Sequence, residues 1–199
     1  MSIDLNDHPI DEKLLKLFSA EEYDLCIDRC RLILTEDRLH LQALLYMAQI
    51  SLEKSDYNDC LQYCDTALQE VEEHLVYVWY WRGQALCLLR KYDDGIDSFK
   101  RALWYNPENI HAWSQIAVTL FQQGKKDFAM LLLDTVEEKH NLIGKFSMAR
   151  GFIERADGNT DEAFIHFLQG GMTVDPDSKE YEGNRDAYFN EIGRTLKTD

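Results

Sequence analysis

Four cysteines form the pattern in this sequence that comes nearest to a chemical site. They stand as two pairs with the same spacing, Cys26/Cys30 and Cys60/Cys64. On a helix this spacing places both thiols of a pair on one face, and four thiolates are a ligand set that holds zinc. The two pairs also lie 34 residues apart, so a repeated unit would explain the same spacing. Because buried cysteine acts as a small apolar residue, we expect core packing here and no metal.

Other residue types that support catalysis show no comparable arrangement. The six histidines are scattered without ligand spacing, and Cys87 has no histidine at a spacing that suggests a catalytic pair. The 36 acidic residues mostly fall at helix starts and on polar faces. The sequence contains no glycine-rich phosphate loop, Gly-x-Ser-x-Gly turn or His-Glu-x-x-His motif. We therefore expect a protein that is not an enzyme and needs no cofactor.

The composition is that of an acidic protein with enough apolar residues for a core. The 199 residues are 45% hydrophobic and 29% charged, and 21 basic against 36 acidic residues give a formal net charge of −15. This acidity would repel phosphate backbones and argues against nucleic acid as a ligand. No apolar run reaches the roughly 18–20 residues that span a bilayer, and no secretory signal is visible at residues 1–9. The sequence predicts a cytoplasmic protein without membrane insertion.

The strongest signal along the chain is a repeat with a period of 34 or 35 residues. Residues of matching type recur one period apart, as in Trp79, Gly83, Gly95 and Phe99 followed by Trp113, Ala117, Ala129 and Leu133. The repeat predicts five units over residues 7–176, with bounds near 7–40, 41–75, 76–109, 110–143 and 144–176. Residues 1–6 are predicted to be a flexible N-terminus.

Each unit has the pattern of two helices joined by a short polar turn. Gly83 shares one helical face with Trp79 at i−4 and Leu86 at i+3. Phe99 has the same spacing to Gly95 and Ala102 in a second helix. Gly124 and Gly158 stand between the two helices of later units, where a tight turn needs backbone freedom. Glycine at these positions therefore marks the turn within a unit.

The end of the chain has a helical pattern of its own. Tyr181, Tyr188, Ile192 and Leu196 share one face of a helix. An array of stacked helices leaves an apolar surface on its last helix, which a further helix with a polar back would cover. Residues 177–199 are therefore predicted to form a capping helix.

The middle of the array resembles a known family. The third unit is similar to a tetratricopeptide repeat (TPR) at the signature positions Trp79, Gly83, Tyr92, Gly95, Phe99, Ala102 and Pro107. The outer units depart from that pattern, with Leu14 where glycine is usual and Glu154 in an apolar column. Terminal repeats are often atypical. The resemblance implies an all-α, right-handed superhelical solenoid of about five helix pairs plus the C-terminal capping helix.

The resemblance also implies where such a protein binds. Solenoids of this kind hold extended or helical peptides on their concave surface. The predicted peptide-binding groove follows one stripe on the first helix of each unit and contains Gln42, Leu45, Gln49, Tyr77, Tyr80, Gln84, His111, Ser114, Val118, Lys145, Met148 and Phe152. An alternative interpretation is that Tyr77, Tyr80 and Trp81 only pack between units.

The predicted function is that of a protein-protein interaction module. It is a scaffold or adaptor, or a dedicated cytoplasmic chaperone, that holds an apolar or aromatic client segment in its groove. Similar repeats that bind the acidic tails of heat-shock chaperones use a clamp of lysine, asparagine and arginine, and only Lys145 matches that clamp in any alignment of the units. Heat-shock chaperone tails are therefore disfavoured as partners.

The distribution of charge suggests a second function. Residues 1–75 contain 17 acidic and 6 basic side chains, a net charge of −11, and the rest of the chain carries −4. Excess charge can simply keep an array soluble. It also fits an inhibitory binder, such as an immunity or anti-factor protein, that masks a basic partner.

Overall fold

The computed structural model describes residues 11–70 and 76–171. These residues form ten α-helices, and no strand occurs within these two ranges. The predicted flexible N-terminus (1–6) and the predicted capping helix (177–199) lie outside the described residues. The all-α, helix-pair class predicted from the sequence is confirmed.

The helices alternate along the chain with short turns. Their bounds are α1 Glu12–Ser19, α2 Tyr23–Glu36, α3 Leu41–Glu53, α4 Tyr57–Glu70, α5 Val76–Leu88, α6 Tyr92–Tyr105, α7 Ile110–Gln122, α8 Lys126–His140, α9 Ser147–Ala156 and α10 Thr160–Gly171. The chain divides into two compact units, Met1–Thr119 and Leu120–Asp199. None of the helices in the described ranges combines the length and apolar character needed to cross a membrane.

In the first unit, each helix packs against the next one along the chain, from α1 to α6, and α3 also contacts α5. The four paired cysteines lie in two apolar clusters. Cys26 and Cys30 are in the cluster with Leu14, and Cys60 and Cys64 are in the cluster with Ala48 and Val78. All four side chains are fully buried. The structure thus places these thiols where the repeat puts core residues.

One glycine explains how the third helix pair packs so closely. Phe99 of α6 is fully buried against α5. A Cβ atom added at Gly83 would lie 2.6 Å from the Phe99 ring, closer than two carbon atoms can approach. The same contact recurs in the second unit, where a Cβ at Gly151 would lie 2.6 Å from Phe167. Glycine in the first helix is therefore what leaves room for a phenyl ring from the second.

The turn inside each helix pair has one repeated geometry. A left-handed residue ends each first helix, with φ of 58° at Glu21, 65° at Ser55, 60° at Arg90, 76° at Gly124 and 90° at Gly158. The next residue donates its backbone N–H to a carbonyl five residues earlier, as from Lys91 to Leu86 at 2.8 Å. This is the hydrogen bond of a Schellman motif. The predicted role of Gly124 and Gly158 in the turn is observed, and three non-glycine residues adopt the same conformation.

In the second unit, ion pairs join α8 to α9. Lys126 contacts Glu154 at 2.7 Å, and Arg150 contacts Asp134 at 2.8 Å and Glu137 at 3.0 Å. Glu154 and Arg150 are both buried. Glu154, the glutamate that departs from the apolar pattern of the repeat, is therefore buried and paired with the half-buried Lys126 of the preceding helix.

Candidate peptide-binding surface

The twelve residues of the predicted groove all keep some exposure to solvent. Gln42, Leu45 and Gln49 lie on α3, and the α5 and α7 residues follow at the corresponding positions. Tyr77, His111 and Lys145 are exposed, and the other nine are half-buried. We call the nine members in the first unit the first-helix face: Gln42, Leu45, Gln49, Tyr77, Tyr80, Gln84, His111, Ser114 and Val118.

Neighbouring first helices lie side by side in this unit. The Tyr80 side chain of α5 shares a hydrogen bond with Gln115 of α7. Further along the same two helices, the Cys87 Sγ lies 3.3 Å from the Thr119 Oγ1. Since α3 also contacts α5, side chains from three consecutive first helices contribute to one surface.

Tyr77 is the most open aromatic residue on the first-helix face. Its side chain is 71% exposed, and its ring centroid lies 6.3 Å from that of Trp81. Trp81 in turn packs against the cluster that holds Cys60 and Cys64. The Tyr77 ring is therefore an exposed aromatic surface whose neighbour, Trp81, packs against the core.

Tyr80 differs from Tyr77 because it is shared between the surface and the core. Its ring centroid lies 5.7 Å from that of Phe99. Burial raises the pKa of the Tyr80 hydroxyl, and the hydrogen bond with Gln115 partly opposes that shift. Removing this ring would therefore disturb folding as well as any bound ligand, which the spacing of the sequence alone does not reveal.

The glutamines of α3 make local polar contacts. The Asp11 backbone N–H donates to Gln42 Oε1 at 2.8 Å, which links the start of α1 to α3. Gln49 Nε2 donates to Glu53 Oε1 at 3.4 Å. No lysine or arginine occurs among the nine residues of the first-helix face. An acidic peptide would therefore find no cationic partner among these residues, whereas apolar and amide groups would find contacts.

Three predicted groove residues belong to the second unit. Lys145 precedes α9 and is exposed, while Met148 and Phe152 of α9 are half-buried. A Cβ atom at Gly170 would lie 2.6 Å from the Met148 Sδ, so Met148 packs against α10. Of these three side chains, Lys145 is the one most accessible to a ligand.

The two cysteine pairs lie in different clusters and are not brought together as one ligand set in the described part of the chain. The Cys60 and Cys64 Sγ atoms lie 4.0 Å apart, and no group of three or more histidine, cysteine, aspartate or glutamate residues within 11–70 and 76–171 is placed to hold a metal ion. Burial raises the pKa of Cys30 to about 12. The hydrogen bond with Cys60 and burial both raise the pKa of Cys64. The same hydrogen bond lowers the pKa of Cys60. Thiols with a raised pKa, as at Cys30 and Cys64, stay protonated and are poor nucleophiles and poor ligands.

Two exposed apolar features were not predicted from the sequence. Trp104 of α6 is 81% exposed, and Phe128 and Leu131 of α8 are also open to solvent. All three lie on second helices, outside the stripe assigned to the groove. The sequence of α8 did contain a signal for an exposed apolar surface. Phe128 and Leu131 do not follow the helical spacing of the buried residues Ala129 and Leu133.

Comparisons with known proteins agree with the repeat fold. No family model matches the chain. A TPR repeat-containing protein of Methanocaldococcus jannaschii is 29% identical over 92 residues, which are 46% of this chain. The matched region is 16% of that protein's length, so this chain spans only a small part of its curated relative.

Solved structures are similar over nearly the whole chain. MamA has a TM-score of 0.63 at 17% identity and covers 94% of this chain and 100% of its own. TTC0263, a thermophilic TPR protein of Thermus thermophilus, has a TM-score of 0.66 at 16% identity and covers 88% of this chain and 95% of its own. YrrB, described as a TPR protein with an unusual peptide-binding site, has a TM-score of 0.59 at 17% identity over 87% of this chain and 88% of its own. The resemblance to TPR proteins is confirmed at the level of the fold.

Proposed function

We infer that this chain, a protein with the tetratricopeptide-repeat fold, is a non-enzymatic interaction module of the cytoplasm that holds a client peptide on its first helices. It acts as a scaffold, an adaptor or a dedicated chaperone. The observation that carries the proposal is the exposure of Tyr77 beside half-buried tyrosine and glutamine side chains on adjacent first helices. Repeat proteins of this class use such extended surfaces for binding.

The side chains of the first-helix face determine what kind of client fits. Tyr77 offers a large, rigid ring with a polar tip, which remains compatible with water when no client is bound. Gln49 and Gln84 offer donors and acceptors for a peptide backbone. The client is therefore a segment with apolar or aromatic side chains and little acidic character.

The test uses a client recovered from the native organism and measured by titration calorimetry against the full chain. Tyr77→Ala should weaken binding more than about tenfold, since truncating a hot-spot aromatic typically costs about 2 kcal/mol or more. Circular dichroism should show an unchanged melting temperature, because Tyr77 lies on the surface. Trp104→Ala is the matched control, as it removes an exposed aromatic from a second helix.

Tyr80 needs a gentler substitution than Tyr77. Tyr80→Phe keeps the ring against Phe99 and removes only the hydroxyl that bonds Gln115. We expect a small change in affinity with the fold intact. If the client binds Tyr77→Ala and Trp104→Ala equally well, the proposed site is wrong.

The acidic N-terminal region supports the second candidate, an inhibitory binder that masks a basic partner. Residues 1–75 carry 17 acidic against 6 basic side chains. Binding through this region would weaken steeply between about 50 and 200 mM salt, because exposed charges are screened. It would also survive Tyr77→Ala. A client that shows both behaviours would favour the inhibitory binder over the groove.

A further inference from the structure

Helix α8 carries an apolar stripe on a side other than the one that holds its buried residues. The stripe consists of Phe128, Leu131, Leu132 and Thr135, which follow the spacing i, i+3, i+4 and i+7. We call this set the α8 stripe. Phe128 is 64% exposed and Leu131 is 60% exposed. Together with Leu120 and Lys125, the α8 stripe borders an open groove of about 550 Å³.

The position of the stripe on the helix indicates that it does not serve the core. The side chains that α8 buries are Ala129, Leu133 and Val136. Single exposed apolar residues are normal on a protein surface. A contiguous apolar groove with exposed phenylalanine and leucine side chains is more often an interaction site.

Carboxylates run along one edge of the stripe. Asp127, Asp134 and Glu138 are exposed and follow the spacing i, i+7 and i+11, which places them on one side of the helix. The Asp134 Oδ1 is engaged by Arg150 at 2.8 Å. Lys125, at the start of the groove, donates to Gln123 Oε1 at 2.8 Å. The edge formed by Asp127 and Glu138 is therefore acidic, whereas the exposed Lys139, at i+11 from Phe128, lies in line with the stripe and away from this edge.

We propose that the α8 stripe docks an amphipathic helix of a protein partner, with apolar side chains on the stripe and lysine or arginine side chains facing Asp127 and Glu138. A helix suits the site because anchors at i, i+3, i+4 and i+7 match a groove lined by side chains of the same spacing. The proposal is independent of the first-helix face, since all of its residues lie in the second unit and its main residues lie on a second helix.

Charge complementarity selects this occupant over two others. A second copy of the chain would bring another formal net charge of −15. The chain's own residues 172–199 contain seven acidic and four basic side chains, so this segment would also bring an excess of negative charge to an acidic edge. A basic helix in trans is the occupant whose charge matches.

The experiment uses a fluorescein-labelled peptide of about 18 residues, helical, with leucine at i, i+3, i+4 and i+7 and lysine along the one edge that would face Asp127 and Glu138. It is titrated into the full chain and followed by anisotropy. A matched peptide has glutamate in place of every lysine. We expect the lysine peptide to bind at least about tenfold more tightly than the glutamate peptide. Leu131→Gln should weaken the lysine peptide at least about fivefold, and Glu138→Gln should weaken it about twofold.

A matched control separates docking from general attraction between opposite charges. Leu25 of α2 is also an exposed leucine, at 56%, and Leu25→Gln should leave the affinity unchanged. Equal effects of Leu25→Gln and Leu131→Gln, or equal affinity for the two peptides, would overturn the proposal.

Two further outcomes would identify a different occupant. A photoreactive residue placed at Thr135 should cross-link the lysine peptide. A cross-link to residues 172–199 of the same chain, or a dimer in sedimentation that Leu131→Gln dissociates, would overturn the proposal in favour of the chain's own terminus or a second copy.

Discussion

At the scale of single residues, size on one helix is matched by size on its partner. Gly83 faces the fully buried Phe99, whereas Leu14 lies in one cluster with the small residue Cys30. The same matching holds for Ala117 with Leu133 and Gly151 with Phe167, whereas Ala48 with Cys64 is small on both helices. Close packing requires such compensation, because interiors tolerate neither voids nor overlaps. Cys30 and Cys64 occur in the two repeats whose first helix has leucine or alanine instead of glycine and whose second helix has no large residue at this position.

Gly83→Ala should destabilise the first unit by about 1–2 kcal/mol, because the cost of overpacking exceeds the gain in helix propensity. The added Cβ would lie 2.6 Å from a ring that has no exposed side to move toward. Chemical denaturation followed by circular dichroism measures the free energy of unfolding.

A second substitution at Phe99 should restore part of the stability lost on Gly83→Ala. A change in helix propensity alone would not be restored in this way. Gly83→Ala with Phe99→Leu reproduces the residues at the corresponding positions of the fourth repeat, Ala117 and Leu133. We expect the double variant to lose less stability than the sum of the two single variants. Additive losses would show that the two positions do not compete for the same space.

Some of these residues were predictable from the sequence and others were not. The burial of Cys26 and Cys60 followed from their place in the repeat. The position of Tyr80, partly on the surface and partly in the core, did not follow from the sequence. Helical spacing predicts which side of the helix Tyr80 faces, but it does not predict that the Phe99 ring lies beside it. The ionic partner of Glu154 was also hidden, since Lys126 stands 28 residues earlier.

At the scale of the helices, one turn conformation is kept while the residue that adopts it changes. Gly124 and Gly158 have positive φ, as do Ser55 and Arg90. A residue with a Cβ carries a conformational cost of about 1–2 kcal/mol in the left-handed region. The fold imposes the turn on these residues, and this is why a search for glycine finds only the later turns.

Arg90→Gly should therefore stabilise the chain, by about 0.5–1 kcal/mol, because relief of the left-handed backbone outweighs the added entropy of glycine in the unfolded chain. The Arg90 side chain is exposed, so little packing is lost. The midpoint of thermal unfolding should rise. A fall would indicate that the arginine side chain makes a stabilising contact in this turn.

Gly124→Ala tests the same argument in the opposite direction. A Cβ at Gly124 would meet no atom within 4 Å, and its φ is 76°. Any loss of stability would therefore come from the backbone alone, and we expect about 1 kcal/mol. Denaturant titration of this variant checks the value, and an unchanged midpoint would contradict the explanation given for Arg90.

The contact between α8 and α9 should depend on pH through Glu154. Burial raises the pKa of this carboxyl, but hydrogen bonds from Asn159 at 2.6 Å and Lys126 at 2.7 Å outweigh burial and hold the pKa below its ordinary value. A lowered pKa in the folded state gives stability that is present above the unfolded-state value and is lost as the pH falls.

Glu154→Gln should thus reduce the melting temperature at neutral pH, and the difference from the natural chain should shrink as the pH falls from about 5 to 3. Glu162 is an exposed glutamate on α10, and Glu162→Gln should have no effect at either pH. A constant difference between Glu154→Gln and the natural chain across this range would mean that the ionised carboxylate does not supply the stability.

At the scale of the whole molecule, the excess of negative charge should oppose folding. The formal net charge is −15, and residues 1–75 contribute −11 from 17 acidic and 6 basic side chains. Exposed ion pairs contribute little to the stability of the fold. An example is the pair in which Lys16 Nζ lies 4.0 Å from Glu12 Oε2. Raising the salt concentration from about 20 to 200 mM should therefore raise the melting temperature by a few degrees, because screening relieves repulsion. A falling melting temperature in calorimetry would mean that the ion pairs outweigh the repulsion.

The burial of the cysteines has a practical consequence for studying how the chain opens. Cys26, Cys30, Cys60 and Cys64 lie in α2 and α4, and none is exposed. All four tryptophans fall between residues 79 and 113. A thiol reagent can react with these four cysteines only when α2 and α4 separate from their neighbours, while tryptophan fluorescence follows the middle of the chain. The rate of thiol labelling therefore reports the opening of the first two repeats, and the rate of the fluorescence change reports unfolding of the middle of the chain. A difference between the two rates measures how independently the first repeats unfold.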